Sequence, residues 1–383
     1  MQQPDARREA ALPALAAHPK VTLHGEDTPL ERLENLGKRL GLTLWAKRDD
    51  CQALAMGGNK VRQLEYYLGR AAAEQADTVL ITGALQSNFV RLTAAAARRL
   101  GWHPVVQLED RVAKSDPIYR SSGNILLDQL LGAEIHRFPE GEDESAADRN
   151  LDAIAARLRD QGRRPYVIHL GIDHPPVGGL GYVEAAGETC RQLTARGREP
   201  SHVVIPSGSG LTHAGFLVGA RALGWQVPVL GVCVRRDAAQ QRQRVLRRAR
   251  EIAALLENGP AIAEADVVVD DSVLAPGYGT MNEQVRSAIR LAAESEALLL
   301  DPVYSGRCMA GLLNFLVQGR IAGGSEVLFI HTGGTPAIFA YQNDLLGNGR
   351  PADDRKSQAQ SDAAASDLTS KAGARSLETG VVL

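Results

Sequence analysis

Apolar residues along this chain fall into two rhythms. Short apolar runs at 42–47, 79–82, 105–108, 135–138, 166–170, 203–206, 229–234, 266–269, 297–300 and 327–331 read as buried strands. Between them apolar positions recur at helical spacing over 64–73, 89–100, 124–131, 146–159, 183–195, 214–223, 240–250, 282–293 and 308–317. Such alternation predicts βαβ units, and hence an α/β fold of open, twisted, mainly parallel sheets covered by helices on both faces. Gly178-Gly179-Leu180-Gly181-Tyr182 interrupts the rhythm and reads as a crossing between two such bodies. After Gly347 no apolar face is sustained, so 348–383 is expected to be a disordered tail.

The polar turns between these elements carry the candidate chemistry. Gly57-Gly58-Asn59-Lys60 precedes a helical stretch, which lets backbone approach a ligand closely and holds the Lys60 amine away from bulk water. Gly83-Ala84-Leu85-Gln86-Ser87-Asn88 joins a strand to a helix start, a place that suits a carboxylate or phosphate, although Ser87 or Asn88 also serves there as a simple cap. Ser207-Gly208-Ser209-Gly210-Leu211-Thr212 also follows a strand and opens into a helix, forming a phosphate nest with hydroxyls from Ser209 and Thr212. Tyr278 and Tyr304 lie in glycine-flanked loops, and the loop after a parallel strand places Tyr304 toward a ligand crevice.

Composition narrows the ligand class. The formal net charge of -2 gives no reason to expect nucleic acid or an anionic membrane surface. The longest apolar runs fall short of the ~18 residues of a membrane span. Four cysteines stand singly, without metal-ligand spacing, which points to a reducing cytoplasm. His169 and His174 have no carboxylate or cysteine at ligand spacing, so no metal is expected. The acidic run Glu140-Gly141-Glu142-Asp143-Glu144 and the basic stretch 240–250 read as solvated surface. Arg235-Arg236 after a strand suits a 2′-phosphate and keeps an NADP-binding oxidoreductase open, though the loop glycines do not follow the dinucleotide pattern.

The motifs Lys47-Arg48-Asp49-Asp50, Gly57-Gly58-Asn59-Lys60, Gln86-Ser87-Asn88, Gly181-Tyr182-Val183-Glu184, Thr212-His213-Ala214-Gly215, Pro276-Gly277-Tyr278-Gly279, Asp301-Pro302-Val303-Tyr304 and Thr332-Gly333-Gly334 occur in this order. Over about 29–341 the chain thereby resembles the D-cysteine desulfhydrase and 1-aminocyclopropane-1-carboxylate deaminase family, in the tryptophan-synthase-β-like, fold type II group of pyridoxal phosphate enzymes. The resemblance implies pyridoxal 5′-phosphate in a cleft between two α/β domains, a small amino-acid substrate and a homodimer. It divides the chain into an arm and part of the large domain at 1–63, a small domain at 64–171, and the rest of the large domain at 172–347.

The resemblance also implies roles. Lys60 is expected to be the Schiff-base lysine and the base for the α-proton. Gln86, Ser87, Asn88 and Phe89 are expected at the substrate, with Asn59, Asn88 and the stretch Ser207, Gly208, Ser209, Gly210, Leu211 and Thr212 on the cofactor. Tyr278 and Tyr304 are expected to border the substrate. Ser305 falls where the family places the partner of the pyridine nitrogen; a serine there suits the desulfhydrase-like branch, in which α,β-elimination yields a 2-oxo acid and ammonia. Phe89, Leu211 and Ile172-Asp173-His174-Pro175-Pro176 depart from the family pattern. They leave room for a deaminase of another amino acid, a cysteate sulfo-lyase, or a binding protein without catalysis.

Overall fold

The structure, a computed structural model, describes residues 13–347 except 140 and 142. The expected tail at 348–383, the first twelve residues of the expected arm, and Glu140 and Glu142 of the acidic run lie outside the described residues. The strands are β1 (Leu30–Arg32), β2 (Thr43–Arg48), β3 (Thr78–Ala84), β4 (His103–Glu109), β5 (Glu134–Phe138), β6 (Pro165–Ile168), β7 (His202–Ser207), β8 (Val229–Cys233), β9 (Val268–Asp270) and β10 (Glu326–His331). The longer helices are α1 (Lys60–Ala73), α2 (Asn88–Arg99), α3 (Glu144–Asp160), α4 (Leu180–Ala195), α5 (Leu211–Ala222), α6 (Ala238–Ala254), α7 (Glu283–Glu296) and α8 (Ser305–Val317).

Two sheets result. One has the order β1-β2-β10-β7-β8-β9 and the other β5-β4-β3-β6. Every pair is parallel except β1 with β2, where Leu30 lies opposite Lys47. Alternation along the strands sends successive side chains to opposite faces. In the larger sheet Leu44, Ala46, Val204, Val232, Val327 and Phe329 pack against α7 and α8 through Val285, Ala288, Leu312 and Phe315. Val203, Ile205, Leu328 and Ile330 face the other way, into a core with Leu180 and Val183 of α4 and Ala214 and Phe216 of α5. That second core continues into the smaller sheet through Val79, Ile81, Val106 and Leu108. Leu80 and Val105 on its far face meet Leu151, Ile154 and Leu158 of α3.

Two local expectations are corrected. The run 297–300 joins no ladder among the described residues: Ala297 closes α7 in the left-handed region at φ 53°, and the segment then runs outside the sheet while Leu298 and Leu300 still bury in the core. Several helices also start before their apolar rhythm does, Lys60 against 64, Glu144 against 146, Leu180 against 183, Leu211 against 214 and Ser305 against 308. Small and polar residues fill most of these first turns. In α1, α3 and α5 that turn meets a cavity, where apolar periodicity has no core to report.

Candidate active site

A buried ionic network holds the lysine loop from beneath. The Asp49 carboxylate accepts from Arg62 Nε at 3.1 Å, Thr28 Oγ1 at 2.9 Å and the Tyr182 hydroxyl. Glu188 accepts from Arg62 Nη1 at 2.7 Å and pairs with Lys47. These are the Lys47-to-Asp50 and Gly181-to-Glu184 motifs of the sequence, brought together with the Thr28 segment. The Asp49 carbonyl then accepts the Gly58 N–H at 3.0 Å, and the Thr332 carbonyl accepts the Asn59 N–H at 3.0 Å. Gly58 has φ +124°, and a Cβ there would stand 3.0 Å from the Thr332 carbonyl oxygen, so a side chain would push the loop away from β10.

Lys60 follows as the first residue of α1, half-buried, with its amine on the cavity wall. Its Nζ lies 3.3 Å from Gln63 Oε1 and 5.0 Å from the centre of the Phe89 ring. Burial lowers its pKa to about 8. A useful share of the amine is therefore neutral near physiological pH.

The start of α2 forms the facing wall. Ser87 Oγ accepts the Val90 N–H at 3.3 Å, which leaves the hydroxyl proton to donate elsewhere. Asn88 Oδ1 accepts from Arg91 Nη1 and Asn124 Nδ2, both at 3.0 Å, and the Asn88 amide donor has no partner among the described residues. Arg91 also reaches the Gly57 carbonyl at 2.8 Å and ties this wall to the lysine loop.

At the start of α5, Gly210 stands in the left-handed region at φ 90° and no side chain caps the helix. Among the described residues no carbonyl accepts the N–H groups of Ser209, Gly210, Leu211, Thr212 or His213. Thr212 Oγ1 accepts from Asn59 Nδ2 and Gln63 Nε2, each at 2.8 Å, so its own proton is also available. An uncapped helix start with this many donors is built for a phosphate.

These walls enclose one cavity, with about 940 Å³ of empty space that includes the open solvent at its mouth. Tyr278 and Tyr304 close one side with hydroxyls 3.0 Å apart. Burial and the Tyr278 contact push the Tyr304 phenol far above its ordinary range, so it stays protonated. Arg111, Glu144, Arg235, Arg236 and Arg244 complete the lining.

Lys60, Asn59, Ser87, Asn88, Phe89, Gly208, Ser209, Gly210, Thr212, Tyr278 and Tyr304 thus meet in one cavity. Four expected residues stand behind its surface. Gln86 donates to the Tyr119 and Ser122 carbonyls at 2.6 and 2.9 Å. Ser207 Oγ accepts from Gln241 Nε2 at 2.8 Å, and the Leu211 side chain packs in the core, leaving its backbone N–H as its contribution. Ser305 Oγ donates to Asp301 Oδ1 at 2.6 Å and accepts the Asp301 N–H at 2.8 Å.

The charged lining departs from the sequence reading. Glu144 is not solvated: it accepts from Arg235 at 2.7 Å, Arg236 at 2.6 Å and Arg244 at 3.3 Å. Arg235 and Arg236 therefore grip a carboxylate, and the basic stretch 240–250 turns Arg244 and the buried Arg248 inward. Arg111 was not singled out by the sequence; its only signal is a place just past the carboxyl end of the parallel strand β4.

Similarity to known proteins agrees with this geometry. The family model described as pyridoxal-phosphate dependent enzyme matches residues 21–333, and the chain belongs to that family. It is 43% identical to a D-cysteine desulfhydrase of Klebsiella pneumoniae strain 342, over 88% of this chain and 100% of that one. A D-cysteine desulfhydrase of Yersinia enterocolitica is also 43% identical, over 85% of this chain and 97% of its own. Among solved structures, an ACC deaminase homologue superposes with a TM-score of 0.78 at 33% identity, covering 88% of this chain and 98% of the other. A fungal L-serine ammonia-lyase from Rhizomucor miehei, 19% identical with a TM-score of 0.59 over 84% of this chain and 98% of its own, shares the fold. The cofactor is accordingly pyridoxal phosphate. The uncapped α5 start, the Thr212 hydroxyl and the Lys60 amine fit its phosphate and its aldehyde.

Proposed function

We propose that the protein is a lyase of the D-cysteine desulfhydrase type, converting D-cysteine to pyruvate, sulfide and ammonia by α,β-elimination. The observation that carries this reading is the 43% identity over nearly the whole length of such enzymes, together with a cavity that both Lys60 and the start of α2 line. Pyridoxal phosphate, when bound, supplies the electron sink that makes a Cα–H bond breakable.

The chain's own residues do the rest. Lys60 would hold the cofactor's aldehyde carbon, and its Nζ would take the α-proton. The loop from Ser207 to Thr212 holds the phosphate with the N–H groups of Ser209 to Thr212 and the Thr212 hydroxyl, and Asn59 fixes that hydroxyl's direction. Ser87 and the amide of Asn88 bind the substrate carboxylate or the cofactor ring hydroxyl, while Gln86 braces their turn and Phe89 floors the lysine. Tyr278 and Tyr304 border the substrate side chain as a hydrogen-bonded donor pair. Ser305, its proton committed to Asp301, gives the ring nitrogen no acid; this suits a substrate whose leaving group itself drains the developing carbanion.

We assign the small domain to 64–171, which contains β3 to β6, and the large domain to 1–63 with 172–347; the separation of the two sheets supports this division. Exposed Leu126, Leu130, Phe339 and Leu346 support a homodimer. Four free cysteines support a reducing cytoplasm. No helix of the described residues is long and apolar enough to cross a membrane.

Cofactor-loaded protein offered D-cysteine, L-cysteine, D-serine, L-cysteate and 1-aminocyclopropane-1-carboxylate separates the readings. Pyruvate and sulfide from D-cysteine, lost in Lys60→Ala, are expected. Turnover of the cyclopropane amino acid alone would make the protein a deaminase, and sulfite from cysteate alone a sulfo-lyase.

A further inference from the structure

Elimination needs something at the far side of the bond it breaks. The α-proton goes to Lys60, its electron pair becomes the Cα=Cβ bond, and the Cβ–S bond breaks with its pair on sulfur. Sulfur therefore departs as hydrosulfide, a full anion, and such a charge is costly where no partner meets it. The one cation among the residues given roles above is the Lys60 ammonium formed in that step, and it serves the Cα side of the bond.

Arg111 is such a cation. Its side chain is 10% exposed and lines the cavity from the end of β4. Nε and Nη2 donate to the two oxygens of Glu109, each at 2.7 Å, and Thr82 Oγ1 steadies that carboxylate at 2.6 Å. This fork fixes the guanidinium plane and leaves Nη1 without a partner among the described residues. Burial opposes the charge on Arg111, but the Glu109 hydrogen bonds outweigh it and raise the pKa, so the charge is permanent. The guanidinium is also close enough to Tyr278 and Tyr304 to couple electrostatically with both.

Resting on the elimination reading, we propose that Arg111, which lines the cavity with Tyr278 and Tyr304, receives the leaving group: its Nη1 edge, without a partner among the described residues, binds the anion released as the Cβ bond breaks. Glu109 and Thr82 are positioning residues for it. The contact strengthens as charge develops on the leaving atom, so it acts on the transition state more than on the bound amino acid.

The test compares wild-type holoenzyme with Arg111→Met and Arg111→Lys. Three rates are read: pyruvate release from D-cysteine, pyruvate release from β-chloro-D-alanine, and exchange of the D-alanine α-proton in heavy water, which involves no leaving group. In Arg111→Met, kcat for D-cysteine is expected to fall roughly 100-fold. Release from β-chloro-D-alanine should fall far less, because chloride is a weak base, and proton exchange should hold within about twofold of wild type. Arg111→Lys should fall in between, keeping the charge and losing the fixed fork. A ratio of D-cysteine to β-chloro-D-alanine turnover equal to wild type in both variants overturns the proposal. So does an equal loss of exchange and elimination. If Arg111→Met no longer retains cofactor, the same ratio in Arg111→Lys decides. A wild-type enzyme that exchanges protons yet eliminates neither substrate instead refutes the elimination reading, and the Arg111 assignment with it.

Discussion

Two helix starts open into the same cavity and are finished differently. At α2, Ser87 folds its hydroxyl back onto the Val90 N–H, so one of the donors of that turn is satisfied by its own side chain. At α5, Gly210 supplies no cap, and Ser209 to His213 leave their N–H groups without a carbonyl among the described residues. A self-capped start leaves fewer orphaned donors behind when a ligand departs. An uncapped start loses that satisfaction whenever its anion leaves. The first arrangement suits a substrate that turns over, and the second a cofactor phosphate that stays.

The largest expected effect separates capture of the cofactor from binding at α2. With a Lys60 pKa of about 8, the rate at which apoprotein captures pyridoxal phosphate covalently should rise steeply with pH and level off above that value. The span is roughly 100-fold between about pH 6 and 9, because only the neutral amine attacks. Stopped-flow absorbance checks it, and a flat profile would break the link between burial and reactivity. The same lowered pKa means that the unfolded chain binds the extra proton between about 8 and the ordinary lysine value. Apoprotein stability should therefore gain a rising contribution across that window, and show the full penalty below it.

A smaller effect tests the uncapped start itself. A Cβ at Gly210 meets no atom closer than 3.6 Å, so space is not the obstacle; the left-handed φ is. Gly210→Val should cost about 1–2 kcal/mol and weaken cofactor binding roughly tenfold. Titration followed by absorbance reads this, and an unchanged Kd would mean that α5 does not carry the phosphate. The smallest effect belongs to the self-capped start. Ser87→Ala should lower stability by about 1 kcal/mol in denaturant unfolding and raise KM more than it affects cofactor retention. If cofactor loss dominates, the roles of the two helix starts are reversed.

The backbone-built parts of this site were legible in advance, and the side-chain-built part was not. A strand, a small-residue turn and a helix start leave a mark at consecutive positions, which is why Ser207 to Thr212 and Gln86 to Asn88 could be singled out. Within those turns the sequence could not say which side chains face inward. Ser207, Leu211, Gln86 and Ser305 lie behind the cavity because Gln241, the core, the 119–124 segment and Asp301 engage them. Glu144 read as surface since acidic runs usually are; three arginines from the loop after β8 and from α6 reach it only after the chain has crossed from one sheet to the other.

The sequence by itself determined the alternation of strand and helix, the family, and the lysine with its phosphate turn. Each of these rests on short-range spacing: period-2 and period-3.6 apolar patterns, and backbone turns whose donors lie within a few residues of one another. Tertiary structure decided the first turns of the helices, the burial that sets Lys60 near pH 8, and the electrostatics around Arg111 and Glu144. Those depend on which charges and which desolvating atoms arrive from distant segments, and Coulomb energy and desolvation follow distance in space rather than distance along the chain.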